Sequence, residues 1–386
     1  MPIDTLVVKV AAPCNLACKY CYEYSSGDES WRAKPIFLVP SFARMLGYRI
    51  REYSLRRRVM RVCVVIHGGE PLLLGAERLE EVLIAMRTAA APVEVAFSLQ
   101  TNGTLIDRTI CEVFVRQRVA IGVSIDGGAA HNHLRVDRRG LPTWDRVVQG
   151  IRCLEAHAPN RFAGLLCVVD VSNPPEEVMQ ALLDLDAPSI DLLQPFTSHD
   201  MAGEKRLEMA EKFGQWMVSA MEYWLKVSAS DGSRVRVFDD ALQAVCTRRP
   251  MTDWFGPRIV SYIIVETDGS YDLLDQLKSV GASSRELRSL NSSIFNCSLG
   301  NAESAAVELL SRKRGDRLPD ACELCQWADV CSAGHLPSRY SHMADFNNRS
   351  VYCEGIDMLL ERCASILRSN GIVVPVGSKS RMDGNE

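Results

Sequence analysis

The sequence predicts an α/β protein, a partial (β/α)6 parallel barrel followed by a smaller C-terminal domain. Two observations lead there. From residue 3 to about residue 197, six apolar runs with strand character alternate with amphipathic stretches long enough for a crossover helix, the order that builds a parallel sheet. Residues able to do chemistry follow successive runs, as in barrel enzymes, where the site forms at the C-terminal face of the strands. With 386 residues the chain exceeds the usual single domain and has room for a second.

The six runs are Thr5 to Val10, Arg61 to Ile66, Val93 to Leu99, Val119 to Ile125, Phe162 to Val169 and Ser189 to Leu193. Cys14 follows the first, His67-Gly68-Gly69-Glu70-Pro71 the second, Gln100-Thr101-Asn102-Gly103 the third and Ser124-Ile125-Asp126-Gly127 the fourth. Beyond Pro195 the register changes. Glu204 to Val227 reads as one long helix, because Met209, Phe213, Met217, Ala220 and Trp224 fall close to helical spacing. Ser228-Ala229-Ser230-Asp231-Gly232-Ser233 marks a linker, and Ile259 to Leu274 reads as a strand and turn centred on Thr267-Asp268-Gly269-Ser270. The expected organisation is a barrel over 1–200, a bridging helix and linker over 201–232, a cysteine-bearing domain over 233–370 and a disordered polar tail over 371–386.

Composition removes several classes. Hydrophobic residues make up 47% and charged residues 24%, ordinary globular values, and no run approaches the ~18 apolar residues of a membrane span. A net charge of -4 gives no support to a nucleic-acid surface. The N-terminus lacks a basic segment followed by an apolar one, so the expectation is a cytoplasmic protein. In a reducing cytosol, 14 cysteines read as metal ligands and small buried apolar residues rather than disulfides, with Cys63, Cys111, Cys153 and Cys167 of the second kind.

Cys14, Cys18 and Cys21 place three thiols within eight residues just after the first strand. Thiolates are the usual ligands of a 4Fe-4S cubane, and three of them leave the fourth iron open to another ligand. Zinc is the alternative for such a loop. The spacing, three residues and then two with Tyr20 before the last cysteine, resembles the signature of the radical S-adenosylmethionine (radical SAM) superfamily. That resemblance implies a SAM-binding cluster and a barrel of the radical SAM type. It also gives the strand-end groups their roles. Gly68, Gly69, Glu70 and Pro71 resemble the site for the SAM amino group, with the glycines admitting close backbone approach. Gln100, Asn102 and Ser124 would serve the ribose and methionine portions, and Arg135 the carboxylate. A tight turn is the alternative at Gly68-Gly69 and at Asp126-Gly127.

A second constellation comprises Cys322, Cys325, Cys331 and, 22 residues on, Cys353. It resembles the SPASM extension of radical SAM peptide maturases, whose pattern carries two auxiliary clusters. Here His335 stands where that pattern has another cysteine, and Leu274 stands where a cysteine would precede Asp275. The resemblance therefore implies one auxiliary 4Fe-4S cluster on the four remaining cysteines, with structural zinc as the alternative. Cys246, Cys297 and Cys363 stay unassigned.

Over nearly the whole chain the sequence resembles the cyclophane-forming branch of these maturases, through Val65 to Gly75, Phe162 to Asp170, Val265 to Tyr271 with Asp275 to Ser279, and Phe346 to Cys353. The departure lies at Ser332-Ala333-Gly334-His335, where that branch has a run of glycines. By this resemblance the substrate is a ribosomally made precursor peptide, and the reductant is a flavodoxin or ferredoxin. The product is a carbon-carbon crosslink between an aromatic ring and an unactivated side-chain carbon. Asp275 is the expected general base; a turn residue is its alternative. A thioether former, a sulfatase-type maturase and a non-catalytic iron-sulfur or zinc protein are the competing functions.

Overall fold

The computed structural model describes residues 3–255, 262–281, 284–314 and 318–375. Six strands fall where the apolar runs place them: β1 (Thr5–Ala11), β2 (Arg61–Gly68), β3 (Glu94–Thr101), β4 (Ala120–Ser124), β5 (Phe162–Val168) and β6 (Ile190–Leu193). Helices α1 (Pro40–Arg57), α2 (Ala76–Ala90), α3 (Arg108–Gln117), α4 (Trp144–His157) and α5 (Pro175–Leu183) make the crossovers. Three more strands follow, β7 (Tyr262–Val265), β8 (Ser270–Asp272) and β9 (Ser289–Ser293). The chain divides into two compact units, residues 1–166 with 259–309 and residues 167–258 with 310–386.

In the first unit β1 is the central strand. Leu6, Val8 and Val10 are fully buried, each contributing ~1.5–3 kcal/mol relative to exposure. A strand buried on both faces also needs a ladder on both edges. β1 finds them in parallel pairs with β2, Val7 opposite Val65, and with β7, Val8 opposite Val265. The β7 pairing differs from the expected domain organisation, in which Ile259 to Leu274 belonged to the cysteine-bearing part. The hydrogen-bonded edge of β1 draws that later strand into the barrel sheet, and a periodicity argument cannot see this. From β5 to β1 the strands are parallel neighbours in the order β5-β4-β3-β2-β1, whereas β7, β8 and β9 continue the sheet as antiparallel pairs. The turn between β7 and β8 forms at the expected residues, with Gly269 N donating to Glu266 O at 2.8 Å.

In the second unit, Val169 N donates to Leu193 O at the end of β6. The long helix runs Arg206–Asp231, so four residues read as linker continue it. It packs on the last helix, Cys353–Ser369, where a Cβ at Gly214 would lie 2.6 Å from the Gly355 Cα. Phe213 stacks on Trp254 with ring centroids 5.6 Å apart and meets Tyr352 at 4.6 Å, which anchors the segment carrying Cys353. Among the described residues no helix is long and apolar enough to cross a membrane. The expected disordered tail lies, from residue 376 onward, outside the described residues.

Candidate active site

Three residues beyond β1, the chain enters the loop that carries Cys14, Cys18 and Cys21. Backbone bonds hold it on several sides: Ala12 N to Ile36 O, Ala17 N to Val136 O and Lys19 N to Leu134 O, all at 2.8–3.0 Å. The Gly68-Gly69-Glu70-Pro71 segment clasps the same loop, with Gly69 N donating to Ala11 O at 2.8 Å and Glu70 N to Pro13 O at 3.0 Å. Only glycine fits there. At Gly68 the φ is +142° and a Cβ would sit 2.3 Å from Ala11 O; at Gly69 a Cβ would sit 2.3 Å from Pro13 O. These glycines let the turn lie against the end of β1 and the start of the cysteine loop.

The Glu70 carboxylate is fully buried and accepts three bonds, from Leu72 N, Thr101 Oγ1 and Asn102 N at 2.8–2.9 Å. It therefore ties the β2 turn, started by Pro71, to the end of β3. Asn102 Nδ2 reaches Asn15 Oδ1 at 2.8 Å and the Cys14 sulfur at 3.8 Å. Gln100 lies over Gly122 of β4 with its Oε1 buried and without a hydrogen-bond partner among the described residues. Ser124 ends β4 half-buried. Tyr20 donates to Asp126 Oδ2 at 2.5 Å and accepts from Arg135 Nη1 at 2.7 Å, while the buried Arg135 Nε has no hydrogen-bond partner among the described residues. Burial pushes the thiols up, Cys14 to about 12 and Cys21 to about 11, so an electropositive ligand is what makes thiolates of them.

Beside this loop lies a charged cluster the sequence reading missed. Lys9 Nζ meets Glu23 at 2.6 Å, Asp275 at 2.8 Å and Glu266 at 3.5 Å. Lys278 Nζ meets Glu23 at 2.7 Å, Glu266 at 3.1 Å and Asp275 at 3.2 Å. All five side chains are buried, two cations against three carboxylates. Asp275, the first residue of the 3-10 turn Asp275–Val280, receives both lysines on Oδ1 and the Tyr22 hydroxyl on Oδ2, at 3.1 Å. Burial alone would raise its pKa; Lys278 and Lys9 outweigh that and hold it below the ordinary carboxylate range. His67, at the end of β2, has a buried Nδ1 without a hydrogen-bond partner among the described residues, and burial lowers its pKa. A lysine inside the apolar run Leu6 to Val10 was the available signal for this cluster.

In the second unit, Cys322 lies in the turn Asp320–Glu323, Cys331 ends Ala328–Cys331, and Cys353 opens the last helix. Burial first, then mutual charge among Cys322, Cys325, Cys331 and Cys353, raises the Cys322 thiol to about 11 and Cys331 further, so the thiols face one region. All the cysteines are free thiols. Among the described residues no three His, Cys, Asp or Glu side chains converge closely enough for a single metal ion. Four thiols within reach of one another's charge are a donor set of the kind that ligates a 4Fe-4S cubane. His335 is buried against Phe196, ring centroids 5.5 Å apart, and Leu274 is buried.

Residues 8–185 match the radical SAM superfamily. A serine-type anaerobic sulfatase-maturating enzyme of Klebsiella aerogenes is 30% identical over 344 residues, covering 86% of this chain and 80% of its own. A cysteine-type anaerobic sulfatase-maturating enzyme of Clostridium perfringens is 23% identical, covering 93% and 96%. Among solved structures, native anSMEcpe with bound AdoMet and Cp18Cys peptide aligns with a TM-score of 0.80 at 20% identity, covering 95% of this chain and 98% of that one. Streptococcus suis SuiB bound to precursor peptide SuiA aligns at 0.56 and 13% identity, covering 87% and 72%. The chain belongs to the radical SAM superfamily, among the relatives of the anaerobic sulfatase-maturating enzymes; it is an enzyme of that class, and its cofactors are S-adenosylmethionine and 4Fe-4S clusters.

Proposed function

We propose that this enzyme matures a ribosomally made precursor peptide by joining an aromatic ring to an unactivated side-chain carbon, with Asp275 receiving the proton that the ring gives up. The observation that carries the reading is the Asp275 carboxylate, buried, ionised by two lysines and bearing only the Tyr22 hydroxyl on Oδ2 among the described residues. The SAM-binding cluster is assigned to Cys14, Cys18 and Cys21 and the auxiliary cluster to Cys322, Cys325, Cys331 and Cys353. When bound, these groups supply hydrogen abstraction from the substrate carbon and a sink for the electron released afterwards. Arg135, Gln100, Asn102, Ser124 and the Gly68 to Pro71 turn hold SAM, with Tyr20 fixing the Arg135 guanidinium.

The low proton affinity of Asp275 suits this task. A ring that must lose a proton to regain aromaticity is a strong acid, so a weak base suffices, provided that it is charged beforehand. Lys9 and Lys278 ensure that charge. Support for a peptide substrate comes from the relatives, since one solved structure holds the Cp18Cys peptide and another a precursor peptide. A second reading, a sulfatase-type maturase, is favoured by the 30% identity to the serine-type anaerobic sulfatase-maturating enzyme of Klebsiella aerogenes. We place the enzyme in the cytoplasm with a flavodoxin or ferredoxin as reductant.

The test separates proton removal from hydrogen abstraction. With peptide present, Asp275→Asn should still release 5'-deoxyadenosine, while crosslinked product falls by ~10²–10⁴, the range for a lost general base. Chromatography with mass detection counts both in one reaction. Equal loss of the two products would assign Asp275 to binding instead.

A further inference from the structure

The four-cysteine region of the second unit is set among guanidinium groups. Arg349 Nη1 lies 3.9 Å from the Cys353 sulfur, and its Nη2 donates to Glu354 Oε1 at 2.8 Å. Glu354 is shared, because Arg206 Nη1 donates to its Oε2 at 2.9 Å. The Arg349 backbone is fixed as well, its carbonyl accepting from His199 Nε2 at 2.8 Å. A second guanidinium, that of the buried Arg339, is held by the carbonyls of Phe346 and Asn348 through Nε at 3.0 and 3.2 Å, and its charge reaches Cys322. The sum of Arg206, Glu354 and Arg349 is one net positive charge, carried to the sulfur by a group that a carboxylate holds in place.

Four thiolates around a cubane leave it negative in both redox states and more so when reduced. A cation and an N–H donor at a ligand sulfur therefore stabilise the reduced state more than the oxidised one. Resting on the assignment of the auxiliary cluster to these cysteines, we propose that Arg349, oriented by Glu354 toward the Cys353 sulfur, sets the reduction potential of that cluster, raising it so that the cluster accepts one electron more readily. Arg349 is a positioning and tuning residue, not one that touches substrate. Because its side chain is 38% exposed, solvent screens part of its charge. The effect expected of its removal is a fall of about tenfold in the equilibrium constant for reduction, about 59 mV for one electron.

The experiment is a potentiometric titration, followed by electron paramagnetic resonance, on the full-length, anaerobically reconstituted protein. Cys14, Cys18 and Cys21 are replaced by alanine so that a single cluster is read. In that background Arg349→Gln and Arg349→Met should both lower the potential by about that amount, and Arg349→Lys by less than half of it. A loaded Arg349→Gln or Arg349→Met cluster with the parent's potential would overturn the proposal, as would a lysine variant that falls as far as the neutral ones. Failure of both neutral variants to take up iron, with the lysine variant loaded, would overturn it too, since Arg349 would then hold the cluster rather than tune it. Absence of any cluster from the parent itself would instead refute the four-cysteine assignment.

Discussion

Lys9 sits in the middle of a buried strand, and its ammonium group is unaffordable there unless carboxylates surround it. Its partners Glu23, Glu266 and Asp275 lie up to 266 residues away in sequence, which is why the cluster was not legible there. A lone lysine in an apolar run announces a buried charge without naming its partner. Asp275 was singled out by resemblance alone, and the structure adds the two lysines that fix its charge. Lys9→Met leaves three carboxylates to one ammonium, and loss of one partner from a buried pair costs about 3–5 kcal/mol. The urea midpoint should fall accordingly; an unchanged midpoint would mean that water reaches the cluster. The stability due to Asp275, whose pKa is depressed on folding, is complete above about pH 4 and is lost as pH falls through its folded value.

At the scale of elements, strands β1 to β6 were legible to within two residues, because each apolar run is bounded by turn or cap residues. The Gly68-Gly69 turn was singled out for its close backbone approach, and the structure adds that it packs on Ala11 and Pro13 at the cysteine loop. Gly69→Ala should push that loop away and lower the iron bound at the first site with the second undisturbed, as Mössbauer spectroscopy can show. Retention of full iron would mean that the clasp is dispensable. The segment Ser332-Ala333-Gly334 keeps a glycine-like backbone, with φ of 49°, 67° and 79°, although two of its residues have side chains. Ser332 caps the turn Ala328–Cys331 in the left-handed region, so Ser332→Gly should stabilise the protein by about 1 kcal/mol, read as a higher melting temperature.

For the whole molecule, two separate sets of thiols predict about eight irons per chain after anaerobic reconstitution, one cubane for each set. Replacing Cys14, Cys18 and Cys21 together by alanine should halve the iron and abolish SAM cleavage. Zinc at the second set would also halve the iron, but with SAM cleavage retained. The barrel and its strand-end site were visible in periodicity and spacing; the return of β7 to β1 was not, since hydrogen-bonded edges leave no mark on a hydrophobic pattern. The central claim concerns what the molecule makes, and tandem mass spectrometry of the precursor peptide after one reaction tests it most directly. The account predicts loss of two hydrogens, no fragmentation between the joined residues and no reaction with a hydrazide. An oxidation confined to one residue, fragmenting normally and trapped by hydrazide as a carbonyl, would contradict it.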